Sequence, residues 1–444
     1  MRRIGATLGG LAALAAVLVL PLGGGGRPLP LHAPLAATAT LTGIVHEAAG
    51  VRLARVDPAS LKVTRRSVLV HFYDGWVRSP SGKLLAVSTY PNETRPISTL
   101  RFASPATLRW VRRGVRLDGS FRAAIWPSAG TLLALVDVVT DRCCAPRAVL
   151  ETVDTVAKKV VARRTIEGRV SAVARSADGL VLLLAPSDGI GPARLAAVGS
   201  DASVRTVDLG RILVGSSFPQ DTSGSETIGA IRQPGLAVDA QGGVAYVVDA
   251  DDLFAQVDLT DLSVTYHEAS SPLLARLAAW LTPAAQAKGL NGPTRNAAWL
   301  GDGMLMVTGN DESAVKQRDG TVLFSSQPAG LEVVDTHDWS VRTIDPEANA
   351  AVVADGVLLA SGSSWRSDLA ATTGDGLAAY GTDGALRWRL DRGKQRWVAA
   401  AYGSVAVVGG DSSQPYELVD LATGRVLRTL GAETFPLLLL GTGS

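Results

Sequence analysis

Few side chains in this sequence are spaced for chemistry, and they fall into small groups. Asp249, Asp251 and Asp252 crowd together in the run VVDADDLF. Closely spaced carboxylates suit Ca²⁺, which takes about six to eight oxygen ligands. The run is shorter than a calcium loop and lacks its Gly and terminal Glu, so a solvated acidic turn is the simpler reading. Asn310, Asp311 and Glu312 form a second polar group open to the same two readings. Cys143 and Cys144, the only two cysteines, are adjacent in TDRCCAPR. In an oxidising compartment they pair with each other, as a vicinal disulfide, or with another chain. An adjacent pair closes a small strained ring, and strained disulfides are labile.

Other catalytic signatures are missing. The five histidines, His32, His46, His71, His267 and His337, show no zinc spacing and no HExxH. No GxSxG elbow, Walker loop or GxGxxG after a strand occurs, and no nucleophile, base and oxyanion donor assemble. With 43 basic against 41 acidic residues, the chain has no surplus to neutralise phosphates, so nucleic acid is not an expected partner.

The clearest pattern is a repeat that would position these groups. A tight Gly turn leads into an apolar run in SPSGKLLAVS, PSAGTLLALV, SADGLVLLLA, DAQGGVAYVV, LGDGMLMVTG, VADGVLLASG and AYGSVAVVGG. Alternating with these are two-strand hairpin patterns such as RLARVDPASLKVT, VLETVDTVAKKVV, LFAQVDLTDLSVT and YELVDLATGRVLRTL. The apolar runs recur every 47 to 63 residues, which gives four short strands per unit. Units of this size bury their faces only by stacking on neighbours, so the pattern predicts an all-β, single β-propeller of four-stranded antiparallel blades. The orphan strand pattern LTGIVHE and the apolar tail ETFPLLLLG then belong to one blade closed by both termini. That favours eight blades, or seven if LTGIVHE is not a strand. Trp76, Trp126, Trp299 and Trp397 recur four or six residues before a turn Gly, as aromatics that pack between blades would.

The units resemble YVTN-type and quinoprotein-type (PQQ-like) propeller repeats. SPSGKLLAVS from Ser79 is similar to the first style and GLAAYGTDGALRWRLD from Gly376 to the second. Some quinoprotein dehydrogenases carry a vicinal Cys pair near their cofactor, so the resemblance implies PQQ and Ca²⁺ as an alternative to having no cofactor. It says little else about function.

If each blade runs from inner strand A to outer strand D, the A–B and C–D turns lie on one face and are tight throughout. The opposite face holds the long insertions Thr89–Ile97, Val138–Arg147, Gly309–Ala329, Ser361–Gly376, Asp208–Gln233 and His267–Asn296. Loops of that length in a compact repeat tend to carry function. The candidate ligand or partner residues on this face are Cys143, Cys144, Asn310, Asp311, Trp365, Arg366 and Asp411. A helical insertion is expected at about 271–288, with Ser271 as cap, Pro272 at the first position and Leu273, Leu277 and Leu281 on one side.

The N-terminus opens with Arg2 and Arg3, followed by an uncharged apolar run from Ile4 to Leu22. Residues 1–26 read as a signal peptide or a membrane anchor through residues 4–22, and 27–39 as a Pro/Ala-rich linker. Cleavage after Ala37, in LAATA, is one expectation. Residues 40–444 make the propeller, expected to be monomeric and outside the cytoplasm, secreted or bound to the envelope. The sequence thus points to a binding or scaffold protein for an envelope or extracellular protein, a glycan or a small ligand. The alternative is a quinoprotein-like dehydrogenase or lactonase-like hydrolase using the central pocket.

Overall fold

The computed structural model describes residues 29, 41–47, 50–57, 60, 62–68, 72–90, 97–111, 113–138, 147–217, 229–269, 292–316, 322–367, 373–410, 416–429 and 438–440. All regular structure in these residues is β. The leader (1–26), the predicted helix at 271–288, Cys143, Cys144 and Asp411 lie outside the described residues, as do His32 and His71. No helix among the described residues is long and apolar enough to cross a membrane.

Thirty-five strands follow one another as antiparallel meanders. The first meander contains β1 (Leu41–Glu47), β2 (Gly50–Val56) and β3 (Val63–Arg66). The second runs through β4 (Phe72–Arg78), β5 (Leu85–Tyr90) and β6 (Thr99–Ser104) to the short β7 (Arg109–Trp110) and β8 (Val115–Arg116). The third is β9 (Ser120–Ser128), β10 (Thr131–Val138), β11 (Arg147–Asp154) and β12 (Lys159–Ile166). The fourth is β13 (Arg169–Arg175), β14 (Gly179–Ala185), β15 (Gly189–Gly199) and β16 (Val204–Ser217), with β17 (Ala230–Arg232) added at its edge. The fifth is β18 (Gly235–Asp239), β19 (Val244–Val248), β20 (Leu253–Asp258) and β21 (Val264–Glu268).

The sixth meander is β22 (Gly292–Gly301), β23 (Met304–Lys316), β25 (Leu331–Asp335) and β26 (Ser340–Asp345), with β24 (Val322–Pro328) inserted between its second and third strands. The seventh is β27 (Ala350–Ala354), β28 (Val357–Arg366), β29 (Thr373–Tyr380) and β30 (Leu386–Leu390). The eighth is β31 (Arg396–Tyr402), β32 (Val405–Gly410), β33 (Glu417–Asp420) and β34 (Val426–Thr429). Last comes β35 (Leu438–Leu440), which returns to the first meander and pairs with β1 through Thr42–Leu440, Gly43–Leu439 and Ile44–Leu438. LTGIVHE is therefore a strand, and one sheet holds the first and last described strands, in the order β3-β2-β1-β35. Closure of this kind leaves no open inner edge to template association. The molecule is an all-β propeller.

The repeats stack through their apolar faces. Alternate residues of β10 go to opposite neighbours: Leu132, Ala134 and Val136 pack toward the second meander, Leu133 and Leu135 toward the fourth. The recurring tryptophans serve these interfaces. Trp126 meets Phe102 edge-on at 6.1 Å, and Trp299 stacks on Tyr246 of the preceding meander at 5.2 Å. Trp76 packs beside Leu53 of the first meander. Trp397 differs: it is 36% exposed and meets Tyr416 of its own sheet.

Three inferred long loops are partly strand. Gly309–Ala329 is the far half of β23 and its return β24. Ser361–Gly376 gives the end of β28 and the start of β29, and Asp208–Gln233 gives the end of β16 and all of β17.

Candidate site on the long-loop face

Inner strands begin at the long-loop face, and four of them share one feature. Arg122, Arg169, Arg295 and Arg396 each lie six residues before the last residue of β9, β13, β22 and β31. Each turns back onto its own sheet, and Arg396 also reaches the connection from the seventh meander. Arg122 pairs with Asp137, Arg169 donates to Ser216 Oγ at 3.1 Å, and Arg295 pairs with Asp311 at 2.9 Å. Arg396, only 4% exposed, meets Asp391 and Glu417. These clasps fasten the start of the inner strand to the polar ends of its sheet-mates.

Around Arg295 the clasp widens into a polar cluster. The backbones of the fifth and sixth inner edges touch here: Gln233 forms a parallel bridge with Thr294, and the Arg295 N–H donates to Gln233 O at 2.7 Å. Arg232, next to that bridge, reaches Asp251 at 2.9 Å and Asp249 at 3.8 Å. Arg295 also donates to the Asn310 carbonyl at 3.2 Å. Asn349, on the way into the seventh meander, donates to Asn310 Oδ1 at 2.8 Å. Asp249 is buried, and that burial raises its pKa above the usual carboxylate range despite Arg232. Glu332, at the start of β25, is pushed up by burial and then by Asp252, with Arg295 opposing. Asp252, more open to water, is pushed the same way by burial.

β24 raises this region into a composite sheet. On one side it pairs with the extension of β23, placing Asp311 opposite Gln327 and Glu312 opposite Ser326. On the other it pairs with β28, placing Ser325 opposite Arg366 and Ser326 opposite Trp365. Asn310, Asp311, Trp365 and Arg366 thus lie in one sheet; successive side chains alternate, so Trp365, 43% exposed, shares a face with Asn310 and Glu312, and Arg366 shares the other with Asp311. Beneath it, buried Asp345 accepts from Tyr380 Oη at 2.6 Å and from Arg389 at 3.2 Å. Burial and that carboxylate push the Tyr380 phenol up. Two clefts lie elsewhere: one of about 870 Å³ between Glu167, Asp188, Arg194 and Asp208, and one of about 420 Å³ in the channel wall between Trp76, Phe121, Arg122 and Arg175.

At Asp249, Asp251 and Asp252 the carboxylates face an arginine. Among the described residues no three His, Cys, Asp or Glu side chains converge to hold a metal ion, and Arg232 neutralises Asp249 and Asp251. Sequence reasoning found the carboxylates and Asn310 but missed Arg232, Arg295, Glu332 and Asn349. The recurrence of Arg at a fixed distance from the A–B turn was a signal for Arg295. Glu332 had none, because its burial depends on strands distant in sequence.

No family model matches the chain, and no curated protein matches it. Among solved structures, the dihydro-heme d1 dehydrogenase NirN in complex with DHE is similar over 91% of this chain and 76% of that one, at 12% identity and a TM-score of 0.52. BamB from Moraxella catarrhalis is similar over 85% and 97% of the two chains, at 11% identity and a TM-score of 0.42. The β-propeller domain of the trilobed protease from Pyrococcus furiosus matches over 89% and 94%, at 12% identity and a TM-score of 0.40. At such identities the likeness to NirN is one of fold.

Proposed function

We propose that this chain is an exported recognition propeller that docks a basic segment of another envelope or extracellular polypeptide on its long-loop face. Counting each meander as one blade gives eight, with repeats of YVTN-like or PQQ-like style. The observation that carries the reading is β24, which joins two meanders into a raised sheet bearing exposed Trp365. Trp is a common anchor in protein interfaces. Exposed Asp251, Asp252 and Asp311 and half-buried Glu312 lie in this region with Arg232, Arg295 and Arg366, so the surface favours a cationic partner. The test is a photo-crosslinking amino acid at position 365, compared with one at Ser404 in a tight turn, in cells making the protein. A discrete polypeptide adduct from position 365 alone, lost on Asp251→Lys with Asp311→Lys, is expected. Glycan-only adducts, no adduct, or equal adducts from both positions would sink the reading.

One observation favours the enzymatic alternative, a quinoprotein-like dehydrogenase or lactonase-like hydrolase. Asp249, Asp252 and Glu332 are pushed up beside arginines, as catalytic acids are. Among the described residues no three His, Cys, Asp or Glu side chains group as a metal site. Adding PQQ with Ca²⁺ and following the melting temperature checks this, and an unchanged melt retires it.

A further inference from the structure

Leu29 lies between the apolar leader and the first strand, yet it is 2% exposed. It packs into the core shared by the sixth and seventh meanders, among Met304, Met306, Leu358, Ala378 and Tyr380. Its N–H donates to the carbonyl of Thr382, in the turn between β29 and β30. Both a backbone bond and a fully enclosed side chain therefore hold one residue from outside the repeats in a socket between two of them. Removing such a side chain leaves a cavity or a wet apolar surface in a close-packed interface.

We infer that Leu29 is a permanent peg of the mature fold, and that removal of the leader cuts between Leu22 and Leu29. Gly23 to Gly26 supply the small residues a leader peptidase accepts on that side. The step is hydrolysis of one peptide bond by water: the leader departs with a new carboxylate, and the mature chain gains an α-ammonium upstream of Leu29. Cleavage after Ala37 would discard the peg. The turn holding Thr382 is a C–D turn, so Leu29 is anchored from the tight-turn side. The cleavage part rests on the reading of the protein as exported.

Two measurements test this on the full chain. The intact mass of exported protein should give a first residue between Gly23 and Leu29, and an uncut chain overturns the cleavage part. A mature chain starting at Thr38, or anywhere past Leu29, overturns the proposal. Thermal melts of Leu29→Met, Leu29→Ala and Leu29→Asp should show no loss, a moderate loss and the largest loss. Identical melts for all three overturn the peg. Because the melts read folding and not export, a protein that stays in the cytoplasm but loses stability in Leu29→Asp would retire the export reading alone.

Discussion

Glu332 carries its charge at a cost. Burial and Asp252 raise its pKa above the ordinary value of 4.5, and Arg295 offsets this only in part. The folded chain therefore holds this proton more tightly than the unfolded chain does. That preference stabilises the fold below the unfolded value and is lost as pH rises through the folded one. Glu332→Gln cannot ionise, so it should raise the melting temperature at about pH 8 and change it little at about pH 4. An equal shift at both pH values would contradict the assignment. The arginines give a second contrast. Arg396 is 4% exposed and holds two carboxylates, so Arg396→Ala should cost about 3–5 kcal/mol in denaturant unfolding. Arg194 pairs with Glu167 and Asp208, whose side chains are 87% and 81% exposed, and its loss should cost less than about 1 kcal/mol. At this scale the sequence showed which residues were polar and clustered. It did not show which were buried, because burial is set by neighbours remote along the chain.

Among the elements, the meeting of β17 with β22 is the tightest contact at the site. A Cβ on Gly292 would stand 1.4 Å from the Ile231 carbonyl oxygen. Backbone cannot yield there as a side-chain tip would, so Gly292→Ala should force the two strands apart. Destabilisation of about 3 kcal/mol or more in denaturant unfolding is expected. A neutral result would show that the two edges do not touch. The apolar runs and hairpins were legible because period-2 alternation and turn residues are local signals. The strand continuation through Gly309–Ala329 was not. Its residues, GNDESAVK and VLFSSQPA, lack a clean apolar face, and β24, paired along β23, is also tied to β28, some forty residues away.

For the whole molecule, closure was readable in advance because an apolar tail with no partner of its own had to find one. Among the described residues the ring is fastened by three aligned residue pairs between β1 and β35. Deleting residues 431–444 should lower the melting temperature and leave β1 as a bare edge that recruits other copies, seen as growth in light scattering. A truncated chain that melts like the full one and stays monodisperse would mean the ring is held shut by stacking between repeats alone.

β24 is hydrogen-bonded to strands of two successive repeats, and Arg389 and Tyr380 of the seventh both bond to Asp345 of the sixth. Other neighbouring repeats meet mainly through stacked side chains, with a backbone bridge only at Gln233 and Thr294 among the described residues. The sixth and seventh pair can open only together, so its amides should exchange with deuterium as a single cooperative unit, slower than those of any other neighbouring pair. The most rigid arc of the wheel would then be the one beneath the proposed contact surface, so a partner would meet a surface already set in its bound shape.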